Sequence, residues 1–380
     1  MKTAYFDNAS TTCVDPRVIE RMKACLGSDG HFGNPASTTH GFGWMASEEV
    51  EWARSTVADT IGADPREIVW TSGATESDNL AIRGVLEAMA DNSGRRKIIT
   101  VETEHKAVLD TCAHLRNAEV IYLKPKPNGQ LCLDALSDAL DDSVLLVSVM
   151  LVNNETGVVQ PISKIARMVH QAGALMHSDL AQSVGKLDFT VDSLEIDLGS
   201  LSAHKVHGPK GVGALYVRRG VCQLAEQQHG GHHERGMRSG TLPTHQIVGM
   251  GEAYRIAKEE MAHELDRLNA FRDHIDATLH QLGGIRVNGV RGVPHIINAT
   301  VDGVDAERLM AAMPQIAVST GSACNSATIE PSHVLQSMGL TRQQGLSSVR
   351  ISLGRMTTEA EVTMLTETLA NAVSQLRRAA

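Results

Sequence analysis

Fold class turns on Ser202-Ala203-His204-Lys205-Val206-His207-Gly208-Pro209-Lys210-Gly211. An apolar, strand-like stretch, Asp197-Leu198-Gly199-Ser200-Leu201, leads into it. Upstream, Leu175-Met176-His177-Ser178-Asp179 ends another apolar run on an acidic residue. An Asp at the tip of one strand and a Lys in the loop after the next form the outline of a pyridoxal phosphate site. In that reading Lys205 attaches the cofactor as a Schiff base. Asp179 keeps the pyridine nitrogen protonated, so that the ring can act as an electron sink. A second segment, Ser319-Thr320-Gly321-Ser322-Ala323-Cys324-Asn325-Ser326, presents one cysteine among small and polar residues. A pyridoxal site with one accessible thiol points to sulfur removal from an amino acid.

Working outward, short apolar runs alternate with helical patterns from about residue 65. Strands are expected at 67–71, 97–101, 120–123, 144–151, 175–177, 198–201 and 213–217, and helices at 76–89, 105–116 and 162–170. The run 144–151 is continuously apolar, which suits the centre of a parallel sheet. The alternation implies an α/β fold, a mostly parallel sheet with helices on both faces and ligands at the strands' carboxyl ends. Thr71-Ser72-Gly73, Asn154 and Asp179 fall there. A long helical pattern over 246–282 breaks the rhythm and leads into a second, smaller domain. Its strands are expected at 296–300, 316–319 and 349–352, and its helices near 306–313, 332–338 and 359–377.

With 380 residues, one large domain plus a smaller one is the natural division. We expect residues 16–254 to form the large domain and 1–15 with 255–380 the small one. The hydrophobic content of 42% supports a packed core. A net charge of −9 gives no nucleic-acid footprint, and Arg218-Arg219 and Arg377-Arg378 read as solvated surface charge. The opening residues lack the apolar core of a signal peptide, and no apolar run reaches the roughly 18 residues of a membrane span. A soluble, cytoplasmic protein without membrane or direct nucleic-acid contact is expected. None of the six cysteines is spaced Cys-x-x-Cys, so free thiols are expected, with Cys25, Cys112, Cys132 and Cys222 as small core residues.

Thr71-Ser72-Gly73-Ala74-Thr75-Glu76-Ser77-Asp78-Asn79 joins a strand to a helix. The amides of Ala74 and Thr75 and the Thr75 hydroxyl can meet an anion there. An ordinary cap by Thr75 explains the segment equally well on its own. Lys205 and Asp179 tip it toward the phosphate. His105 is either a capping or surface histidine, or a ring stacked on the cofactor that moves protons. Val152-Asn153-Asn154-Glu155-Thr156-Gly157 is too polar to stay unpaired at the end of a central strand, and Asn154 or Gln182 could bond the cofactor's ring oxygen. Ser202 and His204 flank Lys205 and could add phosphate contacts. Residues 230–241 read as a phosphate-contacting loop that reaches a neighbouring subunit; the spacing of His229, His232 and His233 fits no standard zinc pattern, so no metal is expected. Arg350 lies in an apolar strand, where it needs an anion: a structural salt bridge or a substrate carboxylate.

Taken together with Glu104-His105-Lys106, Asn153-Asn154-Glu155, Arg235-Gly236-Met237-Arg238-Ser239-Gly240-Thr241 and Gly321-Ser322-Ala323-Cys324, these residues resemble the cysteine desulfurases. The resemblance is to the group with the longer cysteine loop and its housekeeping iron–sulfur-assembly branch, and it runs from about residue 5 to about 375. It implies the fold-type I architecture of pyridoxal enzymes, with a seven-stranded sheet in the large domain, and a homodimer. It also implies conversion of L-cysteine to L-alanine with sulfur held as a persulfide on Cys324. By position it assigns Lys205, Cys324 and His105 to catalysis, with Lys205 taking the Cα proton. It assigns Asp179 to the pyridine nitrogen and Asn154 and Gln182 to the ring oxygen. Ala74, Thr75, Ser202 and His204 would take the phosphate with Thr241 of the other subunit, and Asn34, Asn154 and Arg350 the substrate. Ala203, Ala181, His232 and Asn325 depart from the branch, which usually has Gly, Thr, Gly and Thr there. Housekeeping members continue past the last helix in a tail that helps dock the scaffold. This chain stops at Ala380, which tilts the expectation toward a specialised acceptor. The acceptor could serve iron–sulfur assembly, tRNA thiolation or DNA phosphorothioation. A selenocysteine lyase or an aminotransferase is the alternative enzyme. A pure binding protein would need none of Lys205, His105, Asp179 and Cys324.

Overall fold

The computed structural model describes residues 3–320 and 330–378. Cys324 and its neighbours Gly321, Ser322, Ala323, Asn325 and Ser326 lie outside the described residues. In chain order the strands are β1 (Ala4–Tyr5), β2 (Ile68–Thr71), β3 (Lys97–Val101), β4 (Glu119–Leu123), β5 (Val144–Ser148), β6 (Leu175–Asp179), β7 (Leu198–Ser202), β8 (Gly213–Val217), β9 (Ile285–Val287), β10 (Ile296–Val301), β11 (Ile316–Ala317) and β12 (Ser348–Ser352). The helices are α1 (Pro16–Lys23), α2 (Gly41–Ile61), α3 (Ala74–Ser93), α4 (Lys106–Ala113), α5 (Leu133–Ala139), α6 (Ile162–Gln171), α7 (Val191–Leu194), α8 (Thr244–Leu282), α9 (Ala306–Ala311), α10 (His333–Ser337), α11 (Arg342–Leu346) and α12 (Glu359–Arg378).

The central sheet runs β2-β8-β7-β6-β5-β3-β4. All its pairings are parallel except those of β8, which is antiparallel to both β7 and β2. The short 203–212 loop allows that reversal, whereas a parallel return needs a crossover of a dozen or more residues. Side chains alternate between two apolar layers. Ile68, Trp70, Ala214 and Tyr216 pack with α2, α6 and the first half of α8. Val69, Leu215 and Val217 pack with α3 and α4. A third cluster joins the second half of α8 (Leu268, Ile275, Leu279) to β10, β12, α9 and α12. Its sheet, β12-β10-β9, is antiparallel throughout.

The strand expected over 144–151 stops at Ser148. Its β6 side continues, since Val149 and Leu151 still donate to His177 and Asp179. On the other side β3 has ended at Val101, and Met150 N–H donates to Glu104 Oε1 at 2.8 Å. A side chain replaces the missing neighbour strand, satisfying a buried amide without a ladder. The opening 64 residues, left unassigned by pattern, contain α1 and α2. Helix α2 buries Val50, Ala53, Val57 and Ile61, a helical spacing. No described helix is long and apolar enough to cross a membrane.

Candidate active site

On the α3 face of the sheet, side chains change character along each strand. Leu146, Leu175 and Leu198 are apolar near the amino ends, whereas Ser148, His177, Asp179, Ser200 and Ser202 follow toward the carboxyl ends. The β-strand period of two puts these on one side. His177 is fully buried, with Nδ1 2.8 Å from Ser148 Oγ and Nε2 3.0 Å from Ser200 Oγ. Burial pushes its pKa down to about 3, so the ring is neutral. Asp78 of α3 lies over it, Oδ1 3.7 Å from His177 Nε2. Burial first, then Asp179, raises the Asp78 pKa well above the usual range, while Ser200 opposes.

Asp179 ends β6, buried, with Oδ1 accepting from Ala181 N at 2.8 Å. Burial raises its pKa; the Ala181 amide, His105 and Lys205 oppose the rise. Lys205 follows β7 and extends its ammonium to the carbonyls of Ala9 and Ser10, each at 2.7 Å. Its pKa falls to about 8, mainly through burial, with Arg350 adding to the fall and Asp179 and Asp7 opposing it. His105 is the N-cap of α4, with Nδ1 accepting from Ala107 N at 3.1 Å. Its ring is exposed along the cleft, yet the walls displace enough water to lower its pKa; Asp179 counters and Lys205 assists. An open cavity of about 1090 Å³ runs from Thr75 and His105 between α3 and α4, past Asn79, Arg83 and Asp110.

Helix α3 starts at Gly73, with no side chain capping its amides. Thr75 therefore does not cap. Across from it, a Cβ on Gly213 would lie 2.6 Å from Gly73 Cα and 2.4 Å from Leu201 O. That close approach brings the α3 amino end against Ser202, which pairs with Gly213 in the sheet. His204 Nδ1 lies 3.1 Å from Thr11 Oγ1. Gln182 Nε2 donates to Ala9 O at 2.8 Å. Arg350 donates to Asp7 Oδ1 at 2.7 Å and to Asn154 O at 2.9 Å. In the free chain this arginine thus takes the salt-bridge alternative.

Lys205, Gln182, His204 and Arg350 thus converge on residues 7–11, Arg350 also holds Asn154, Asp179 lies within electrostatic reach of Lys205 and His105, and Ser202 adjoins the Ala74–Thr75 helix end. Two residues stand apart in the single chain: Asn34 is exposed with Oδ1 on Ala36 N, and Thr241 is exposed. The 230–241 loop is tied down by Arg238 on Glu76 and by Glu234 on Arg54. Among the described residues no histidine, cysteine or acid cluster could hold a metal. Pattern reading missed residues 7–12, whose carbonyls and hydroxyls receive Lys205, Gln182 and His204. The only signal was a run of small polar residues, Asp7-Asn8-Ala9-Ser10-Thr11-Thr12.

These residues fit pyridoxal phosphate. Ser202 Oγ and Gln182 Oε1 are buried without a partner among the described residues; a phosphate would relieve the hydroxyl, and a ring hydroxyl donating to Oε1 would relieve the amide. The uncapped α3 amides offer an anion site beside them.

The class-V aminotransferase family model matches residues 4–365. A cysteine desulfurase IscS from Pectobacterium atrosepticum is 52% identical over 378 residues, 98% of this chain and 93% of the relative. The chain belongs to the cysteine desulfurase family. Members of this family depend on pyridoxal phosphate. Among solved structures, a NifS-like protein matches with a TM-score of 0.91 at 35% identity, covering 98% of this chain and all of that one. The structure of DndA from Streptomyces lividans matches with a TM-score of 0.78 at 40% identity, covering 90% and 97%. A mostly parallel seven-stranded sheet is the family's fold, and this chain has it.

Proposed function

We propose that this chain is a pyridoxal-phosphate-dependent cysteine desulfurase that converts L-cysteine to L-alanine and leaves the sulfur on Cys324. The observation that carries the reading is the placing of Lys205 just after β7, its Nζ on the carbonyls of Ala9 and Ser10, while Asp179 ends the neighbouring strand β6. When bound, pyridoxal phosphate supplies an electron sink for bond changes at the substrate's Cα.

The chain's residues do the rest. Lys205 would hold the cofactor and, as a free amine, would take the Cα proton; burial lowers its pKa and so favours the free amine. Asp179 would face the ring nitrogen as a carboxylate, and His105 would stack on the ring and pass protons. Asn154 and Gln182 hold the ring oxygen. Ala74, Thr75, Ser202 and His204 hold the phosphate, with Thr241 from a second copy. Arg350 exchanges Asp7 for the substrate carboxylate, and Asn34 helps to enclose it. The Cys324 thiolate attacks the substrate sulfur: an S–S bond forms, the C–S bond breaks, and the carbon gains a proton to give alanine. The balance is L-cysteine plus thiol giving L-alanine plus persulfide.

We further propose the division into 16–254 and 1–15 with 255–380, supported by the separate apolar clusters that share α8. Ile256 and Ala257 still pack into the larger one. A homodimer is supported by the exposed rings of Phe32, Phe42 and Trp44, and by Thr241 lying free for a neighbour. A thiol-bearing acceptor protein takes the persulfide. The described free cysteines accord with a cytoplasmic setting.

The test is to incubate the yellow protein with L-cysteine and a thiol reductant and to assay alanine and sulfide. Wild type should release them in equal amounts and Cys324→Ala almost none. Unchanged turnover in Cys324→Ala would move the reading to a lyase or an aminotransferase.

A further inference from the structure

Lys186 is a half-buried lysine that the reaction described above does not use. It lies in the loop after β6, which follows Asp179 and carries Gln182. Its Nζ donates to the backbone oxygen of Lys205 at 3.0 Å. The other carbonyls at the start of the β7–β8 loop have backbone or hydroxyl partners. Ala203 O accepts from Val206 and Gly208, and His204 O accepts from Thr12 N and Thr12 Oγ1. The Lys205 oxygen is held by a side chain from a different strand's loop.

The surroundings of Lys186 make it costly. No carboxylate pairs with it among the described residues. Burial first, then Lys205 and Arg355, pushes its pKa down to about 7. Its charge in turn depresses His204, His207 and His295. His295 is fully buried, and both its ring nitrogens lack a partner among the described residues. Arg355, the other cation that lowers the Lys186 pKa, is itself paired with Asp15 and Glu260. An ammonium placed among cation-forming groups without a counterion opposes folding, and a similar-sized apolar side chain would suit the site better. Its retention needs another reason.

We propose that Lys186 is a positioning residue for the cofactor-attachment lysine, clamping the Lys205 backbone to the loop that follows Asp179 and carries Gln182. The inference rests on Lys205 being that attachment residue. The Lys205 side chain must leave the cofactor and return to it in each turnover, while its Cα stays in register with the ring. A backbone anchor from the loop that also faces the ring nitrogen and the ring oxygen holds the three in one frame. Displacements of about 1 Å at such sites cost on the order of a hundredfold in rate.

The experiment compares wild type, Lys186→Met and Lys186→Arg. The readouts are pyridoxal phosphate affinity from the visible absorption, the pH titration of that absorption, and thermal unfolding of the cofactor-free proteins. Lys186→Met should unfold at the wild-type temperature or above, yet bind the cofactor about tenfold more weakly or worse, with a displaced titration. Lys186→Arg keeps a donor and should stay within about threefold of wild type in affinity. Wild-type affinity in Lys186→Met overturns the proposal. So does a lowered cofactor-free unfolding temperature or failure to fold, which would make Lys186 a stability residue. A loss in Lys186→Arg as large as in Lys186→Met overturns it too. Borohydride reduction of the wild type, followed by peptide mass mapping, separates the two levels. Cofactor fixed on a residue other than Lys205 sinks the underlying reading. Cofactor on Lys205 with an unaffected Lys186→Met sinks only the clamp.

Discussion

Two buried polar clusters in this molecule differ in whether their hydrogen bonds close. In the β12-β10-β9 sheet, Asn288 Nδ2 donates to Asn298 Oδ1 at 2.7 Å and to Thr300 Oγ1 at 2.8 Å. Thr300 Oγ1 lies 2.8 Å from Ser348 Oγ, and Asn298 Nδ2 donates to Glu155 O. Under the cleft, both oxygens of Asp78, Glu104 Oε2, Ser202 Oγ and Gln182 Oε1 are buried without a partner among the described residues. Folding leaves few such groups unpaired, because each costs free energy. The closed cluster is architecture. The open one is incomplete by itself, as a site shaped for a ligand should be.

Three measurements press on that contrast. The largest effect concerns Lys205. With a pKa near 8 against 10.5 for an ordinary lysine, its free-amine fraction at pH 8 is on the order of a hundredfold greater. In cofactor-free protein, labelling of Lys205 by a small amine reagent should rise with pH to a midpoint near 8, falling about tenfold per unit below it. A midpoint near 10 would mean that burial and Arg350 do not govern this amine. Next in size, Asn288→Ala strips Asn298 and Thr300 of a buried partner. It should destabilise the protein by about 1–3 kcal/mol in denaturant unfolding while cofactor affinity holds. A weakened cofactor site in that variant would erase the distinction between the clusters. The smallest effect is expected at Asp78. Burial and Asp179 raise its pKa and so favour the protonated form, and Asp78→Asn should change stability by less than about 1 kcal/mol at pH 7. A drop of several kcal/mol would instead reveal an ionised Asp78 paired with a charged His177.

Local pattern carried much of this architecture. Lys205 and Asp179 were legible because each stands at a strand end, where alternation of apolar runs and helical periods fixes the position within a residue or two. The Thr71–Asn79 turn was legible for the same reason. Helix α2 escapes the strand–helix alternation, although its apolar spacing is regular, because α1 and α2 follow one another with no strand between them. The strand expected over 144–151 is shorter in the structure because continuous apolarity does not say where a neighbour ends; β3 stops at Val101, and Glu104 takes over. The antiparallel direction of β8 was implicit only in the shortness of the loop before it.

The sequence by itself determined the chemistry on offer: a lysine, an acid, a glycine turn into a helix and a lone cysteine, each defined by near neighbours in the chain. Only the tertiary structure decided which groups meet. Lys205 is received by Ala9 and Ser10, Arg350 by Asp7, and the Lys205 carbonyl by Lys186. The first three contacts span almost 200 residues or more, and the last joins two neighbouring loops at the strand ends. No local propensity encodes such pairings. They follow from the sheet order, which brings distant strand ends side by side, and from the need to satisfy polar groups once water has been excluded.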